Sequence, residues 1–166
     1  MKKQNKLISV LPLSLLPIST YGQRLSGDLI PAYQWTRIKR WTYQQSNYCC
    51  DVCGGVGKTY PVEAHEVWNF DDKKYIQKLQ KVIALCPLCH QTVHLRGTLV
   101  HKGKKAYKKC IEHLVKLNKW DWLTAQMYIE QETTKCLERS KYIYEVNIKI
   151  KDKWLKIINQ NPPSWP

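Results

Sequence analysis

Two pairs of cysteines carry the plainest chemistry in this sequence. Cys50-Asp-Val-Cys53 and Cys86-Pro-Leu-Cys89 are both Cys-x-x-Cys knuckles. Each knuckle lets two thiolates reach one ion from a tight turn, and two knuckles supply the four sulfurs of a closed tetrahedral zinc site. A closed site leaves no position for a substrate, so this zinc is expected to be structural. It would tie together two loops that are distant in sequence. Gly or Pro beside each pair favours metal over a redox pair. Cys110 and Cys136 fall on apolar faces of expected helices and read as core residues.

The histidines form a second constellation. His90 follows the last knuckle and His94 lies four residues on. On a helix such positions share a face, with Cβ atoms about 5–6 Å apart. His65 sits on an expected strand after the first knuckle. A zinc knot would bring that strand beside the helix, so three imidazoles would face one cleft. His90 and His94 would bind a second ion, distinct from the zinc of the cysteines. His101 and His113 lack this context and read as residues without a role in the site.

In this order, Cys50-x-x-Cys53, Glu63-Ala-His-Glu-Val-Trp68 and Leu85-Cys-Pro-Leu-Cys-His-Gln-Thr-Val-His94 resemble an HNH endonuclease. The resemblance is to the subset with a four-cysteine zinc knot around a ββα-metal core, and it covers residues 48–97. Downstream, His113-Leu-Val-Lys-Leu-Asn118 and Leu137-Glu-Arg-Ser140 are similar, more softly, to the C-terminal extension of some bacterial and phage HNH proteins. The resemblance implies hydrolysis of DNA phosphodiester bonds with one catalytic divalent ion (Mg2+, Mn2+, Ni2+ or Zn2+). By motif position His65 corresponds to the general base that activates water. His90 and His94 would hold the ion, which stabilises the charge that develops on the leaving 3′ oxygen. The implied product ends are 5′-phosphate and 3′-hydroxyl. Two positions depart from the pattern. Ala64 stands where many HNH proteins carry a metal ligand. Glu63 is the preferred replacement over Glu66, because 63 and 65 share a face of a strand. Lys81 stands at a common position of the motif's Asn; Asn69 is a candidate substitute that also reads as a turn residue.

The elements that must position these groups are partly legible. Tyr60–Trp68 is rich in β-formers and reads as a strand. Residues 71–83 carry Ile76, Leu79 and Ile83 in a mixed helical pattern. Cys89 to Leu95 is expected to start a helix that Gly97 ends. Trp35, Ile38 and Trp41 have helical spacing, among Arg37, Lys39 and Arg40. A helix with Tyr107, Ile111, Leu114 and Leu117 on one face follows a basic run. A second spans Asp121 to about Ser140, with Trp122, Ala125, Ile129 and Cys136 on one stripe. Residues 142–150 alternate and read as a strand with one buried face. The expected fold is α+β: a ββα-metal core with structural zinc, flanked by a C-terminal helical extension and a strand. Its expected organisation is an N-terminal segment packing on the core (1–45), the zinc-knuckle domain (46–100), helices plus strand (101–150) and a tail (151–166).

Composition sets the partner. The chain has 166 residues and a net charge of +14, from 27 Lys and Arg against 13 Asp and Glu. That excess attracts polyanions, and DNA is the expected partner, with no membrane span. Arg37, Lys39, Arg40, Lys102, Lys104 and Lys105 are the expected phosphate contacts. Lys2, Lys3 and Lys6 before an apolar stretch look like the start of a secretory signal. Pro12 and Pro17 interrupt it, however, and no clean cleavage site follows. Paired Cys-x-x-Cys spacing suits a reducing, cytoplasmic compartment. Two readings compete with the nuclease: a non-catalytic zinc module that binds nucleic acid, and a secreted cationic factor with oxidised cysteines.

Overall fold

An antiparallel hairpin organises the molecule. Its strands are β1 (Glu63–Asp71) and β2 (Ile76–Leu85). The computed structural model describes residues 11–23 and 25–148. The expected tail, the lysines at the start and the last two residues of the expected 142–150 strand lie outside them. At the hairpin turn, Asp71 Oδ1 accepts hydrogen bonds from the Lys73 and Lys74 amides at 3.1 and 3.0 Å. A short acceptor side chain folding back on the next amides is what makes Asp a turn former.

β2 occupies most of the stretch that reads as helical over 71–83, and the reason is a bulge. His65 pairs with Ile83 and Val67 with Lys81, but Trp68 pairs with Leu79, leaving Gln80 as an extra residue. An extra residue shifts the alternation of faces. Leu79 and Val82 therefore pack in the same cluster although they are three apart, a spacing that imitates a helix. β1, for its part, starts and ends three residues later than the Tyr60–Trp68 reading places it.

Helix α1 (Ala32–Gln45) covers one face of the hairpin. Ile38 and Trp35 meet Ala64, Trp68, Leu79 and Val82 there, with Leu25 and Ile30. The other face carries Val67, Ile83 and Leu85, and it builds the larger core. Helix α2 (Pro87–Val93) leads into α3 (Leu95–Asn118), which runs straight through Gly97. The helix-breaking glycine is instead Gly103, whose φ of 78° lies in the left-handed region and kinks α3. Cys110, Ile111 and Leu114 of α3 join Val93 and Leu95 in this core, with Ala125 of α4 (Trp122–Arg139). Asp121 caps α4 by accepting from the Thr124 amide at 2.7 Å.

Residues 11–17 lie across this core. Leu11 and Leu13 are buried in it, and the Ser14 amide donates to the Val93 carbonyl at 2.8 Å. Tyr128 of α4 accepts from the Leu13 amide and donates to the Leu11 carbonyl. Among the described residues of the expected 142–150 strand, Glu145–Asn147 form β3, which pairs parallel to β2. The preceding tyrosines are tied by side chains to the hairpin turn rather than by a ladder. Tyr144 donates to Asp72 at 2.8 Å, and Tyr142 stacks on Tyr75 at 4.6 Å between ring centroids. The described residues thus form a mixed α+β fold with four helices and a three-stranded sheet. None of these helices is long and apolar enough to cross a membrane.

Candidate functional site

The first knuckle is a tight turn anchored to the hairpin. The Gly54 amide donates to the Cys50 carbonyl, and the Cys50 amide to the Gly55 carbonyl, both at 2.9 Å. Asp51 fastens the turn to β2. Its amide donates to the Ala84 carbonyl and its carboxylate accepts from the Ala84 amide, both at 2.8 Å. The second knuckle starts where β2 ends. Cys86 is the extended residue before α2, Pro87 opens the helix, and Cys89 lies in its first turn. Pro suits that first position because its missing N–H has no partner there anyway.

The four sulfurs converge. Cys50, Cys53, Cys86 and Cys89 bring their Sγ atoms within 4.8 Å of one another, and Cys53 and Cys86 are 3.6 Å apart. A tetrahedral ion with Zn–S bonds of about 2.3 Å sets sulfur–sulfur edges of about 3.8 Å. All four cysteines are free thiols. The protons are in conflict there. Hydrogen bonds from Cys86 and Cys89 pull Cys50 far below the thiol range. The same bonds with Cys50 push Cys86 and Cys89 above the thiol range. A divalent cation resolves this conflict by taking every sulfur as thiolate. The group can therefore hold a metal such as zinc.

The histidines form a second group. His65 comes from β1, His90 from α2, and His94 from the junction of α2 and α3. One ring nitrogen of each lies within 4.8 Å of the others. Ring centroids are 4.8 Å apart for His65–His94 and His90–His94, and 5.4 Å for His65–His90. His65 is only 2% exposed, and its Nδ1 is buried without a hydrogen-bond partner. Burial first, then His94 and His90, lowers its pKa to about 2. His94 keeps an accessible edge, while desolvation of the rest of the ring and then His90 lower it to about 4. Both rings are thus neutral at pH 7, with lone pairs to offer an ion.

Glu63, the expected replacement ligand, lies against one of the histidines. Its carboxylate Oε2 is paired with Nδ1 of His90. A carboxylate in that position orients the ring and leaves the other nitrogen for an ion. Glu66 is half-buried, and burial raises its carboxyl above the usual range. It lines a cavity of about 220 Å³ with His65, Asn69, Glu132 and Arg139, between residues 12–16, β1 and α4. Asn69 therefore lies on the same cavity as His65, whereas Lys81 is exposed on β2 opposite Val67.

The expected phosphate contacts divide by element. Lys102, Lys104 and Lys105 are exposed around the kink of α3, whereas Arg37, Lys39 and Arg40 are half-buried on α1. His101 lies exposed on α3. The residue that sequence reasoning missed is His113, whose Nε2 lies 3.1 Å from the Cys89 sulfur. Its one signal is position: it falls between Cys110 and Leu114, on the buried stripe of α3. No family model, curated protein or solved structure matches the chain.

Proposed function

We propose that the chain is a metal-dependent endonuclease of the HNH type that hydrolyses DNA phosphodiester bonds. The observation that carries this reading is the convergence of His65, His90 and His94 on one point beside the four-cysteine group. The order β1–β2–α2 agrees with a ββα-metal core. Three converging imidazoles, one with an orphaned buried nitrogen, fit a divalent ion. A pure nucleic-acid binder needs none of them.

His90, oriented by Glu63, would hold this ion with His94 and His65. When bound, the ion supplies charge stabilisation at the scissile phosphate and the leaving oxygen. A general base works best with a pKa near the operating pH, and His65 is held far below it. Glu66, which lines the same cavity as His65 and whose carboxyl burial raises above the usual range, is the proton acceptor in this reading. The water oxygen bonds to phosphorus and its proton passes to Glu66. The bond from phosphorus to the 3′ oxygen breaks, that oxygen takes up a proton from bulk water, and Glu66 returns its own proton to solvent. Lys102, Lys104 and Lys105, with Arg37, Lys39 and Arg40, would grip phosphates without reading sequence. In a second reading His65 is the acceptor, which its motif position favours.

Plasmid cleavage with Mg2+, Mn2+ or Ni2+ tests both. Wild type is expected to cut, and His65→Ala and Glu66→Gln to lose at least about a hundredfold in rate. Glu66→Gln should still bind the second ion, whereas His65→Ala should not. Full activity of Glu66→Gln, with His65→Ala binding the ion but inactive, returns the base to His65. A wild type that fails to cut DNA with every one of these ions sinks the nuclease reading.

A further inference from the structure

The four-cysteine group has a fifth neighbour. His113 sits on α3, half-buried between Cys110 and Leu114, with Nε2 3.1 Å from Sγ of Cys89. Cys89 is fully buried. A metal-bound thiolate has no proton and can only accept a hydrogen bond, so the imidazole must donate. The separation also argues against His113 as a ligand. Two donors sharing a tetrahedral zinc, one nitrogen and one sulfur, lie about 3.6 Å apart. Four sulfurs already fill the group, and His113 is not among its mutually close atoms.

We propose that His113 is a positioning residue of the cysteine centre, donating from Nε2–H to the Cys89 thiolate. Four thiolates around one divalent ion carry excess negative charge, and an N–H donor on one sulfur relieves part of it. It also ties α3, which follows the last knuckle, back to the metal. The donor thus joins three chain segments at one point: the turn at 50–53, the start of α2 and the middle of α3. This inference does not depend on what the chain hydrolyses.

The test uses the full chain loaded with Co2+, whose thiolate-to-metal charge-transfer band reports only sulfur-bound ion. His113→Phe removes the donor and His113→Gln keeps an N–H. The Phe variant is expected to shift the band to lower energy and to release cobalt to a chelator about 10-fold faster or more. The Gln variant should recover most of both effects. An unchanged band and release rate in the folded Phe variant overturns the proposal. So does a spectrum that changes to a three-sulfur pattern, because His113 would then be a ligand. Wild type offers a check that needs no variant. Ring nitrogen shifts of the zinc-loaded chain should report His113 protonated at Nε2; protonation at Nδ1 alone overturns the donor role.

Discussion

Glu63 and His90 illustrate how one contact changes a residue's job. A carboxylate near an ion can bind it or can hold one of its ligands, and the two roles are chemically distinct. Glu63 is paired with Nδ1 of His90, an arrangement that fits the second. Glu63→Gln keeps the shape but weakens the acceptor. Loss of such a partner typically lowers metal affinity by about 10–100-fold. Ion affinity at the histidine group is therefore expected to drop by that factor, with the cysteine-bound ion retained. Titration against a competing chelator measures both, and unchanged affinity of the second ion would return Glu63 to the status of a surface acid. His65 makes the complementary point. Its neutral, buried ring is a consequence of where β1 places it, not of the residue type.

The elements matter because both knuckles are fastened to the same end of one strand. Asp51 ties the first to Ala84, and the second begins where β2 ends. The loop after the first knuckle then passes hard against α2. A Cβ at Gly57 would lie 2.1 Å from the Tyr60 carbonyl oxygen and 2.6 Å from Cδ of Pro87. Gly57→Ala is therefore expected to cost about 1–3 kcal/mol, since backbone must move to relieve the overlap. Gly97 is the control. It is helical with nothing within 4 Å of its would-be Cβ, and Gly97→Ala should stabilise by about 0.5–1 kcal/mol. Chemical denaturation of both variants decides the matter; equal effects would mean the loop yields freely.

For the whole molecule, the two candidate metal groups are expected to differ in what they support. The cysteine group joins the larger core: Cys50, Cys86 and Cys89 are buried in it beside Leu85, Val93 and Leu114. The histidine group lies at its edge, between the sheet, α2 and a cavity. Cys86→Ser should lose its ion and most of its cooperative thermal transition, because a structural metal contributes folding free energy directly. His90→Ala should melt close to wild type. Thermal melts of the two variants in the presence of zinc check this, and equal loss in both would assign His90 to the structural site.

Local chemistry is what the sequence by itself determined. The Cys-x-x-Cys pairs, the i, i+4 histidines and the helix at Trp122–Arg139 rest on residues a few positions apart, so short-range spacing is sufficient to read them. β2 escaped that reading because Gln80 interrupts its alternation, and an interruption is visible only against the partner strand. Glu63 meets His90 across 27 positions, and Cys89 meets His113 across 24. Only the tertiary structure decides such pairs. The path of the chain between them, set by the hairpin and by the packing of α2 and α3 on one core, fixes which side chains share a dry space. In that space desolvation and neighbouring charge, rather than residue type, decide whether an imidazole or a carboxylate keeps its proton.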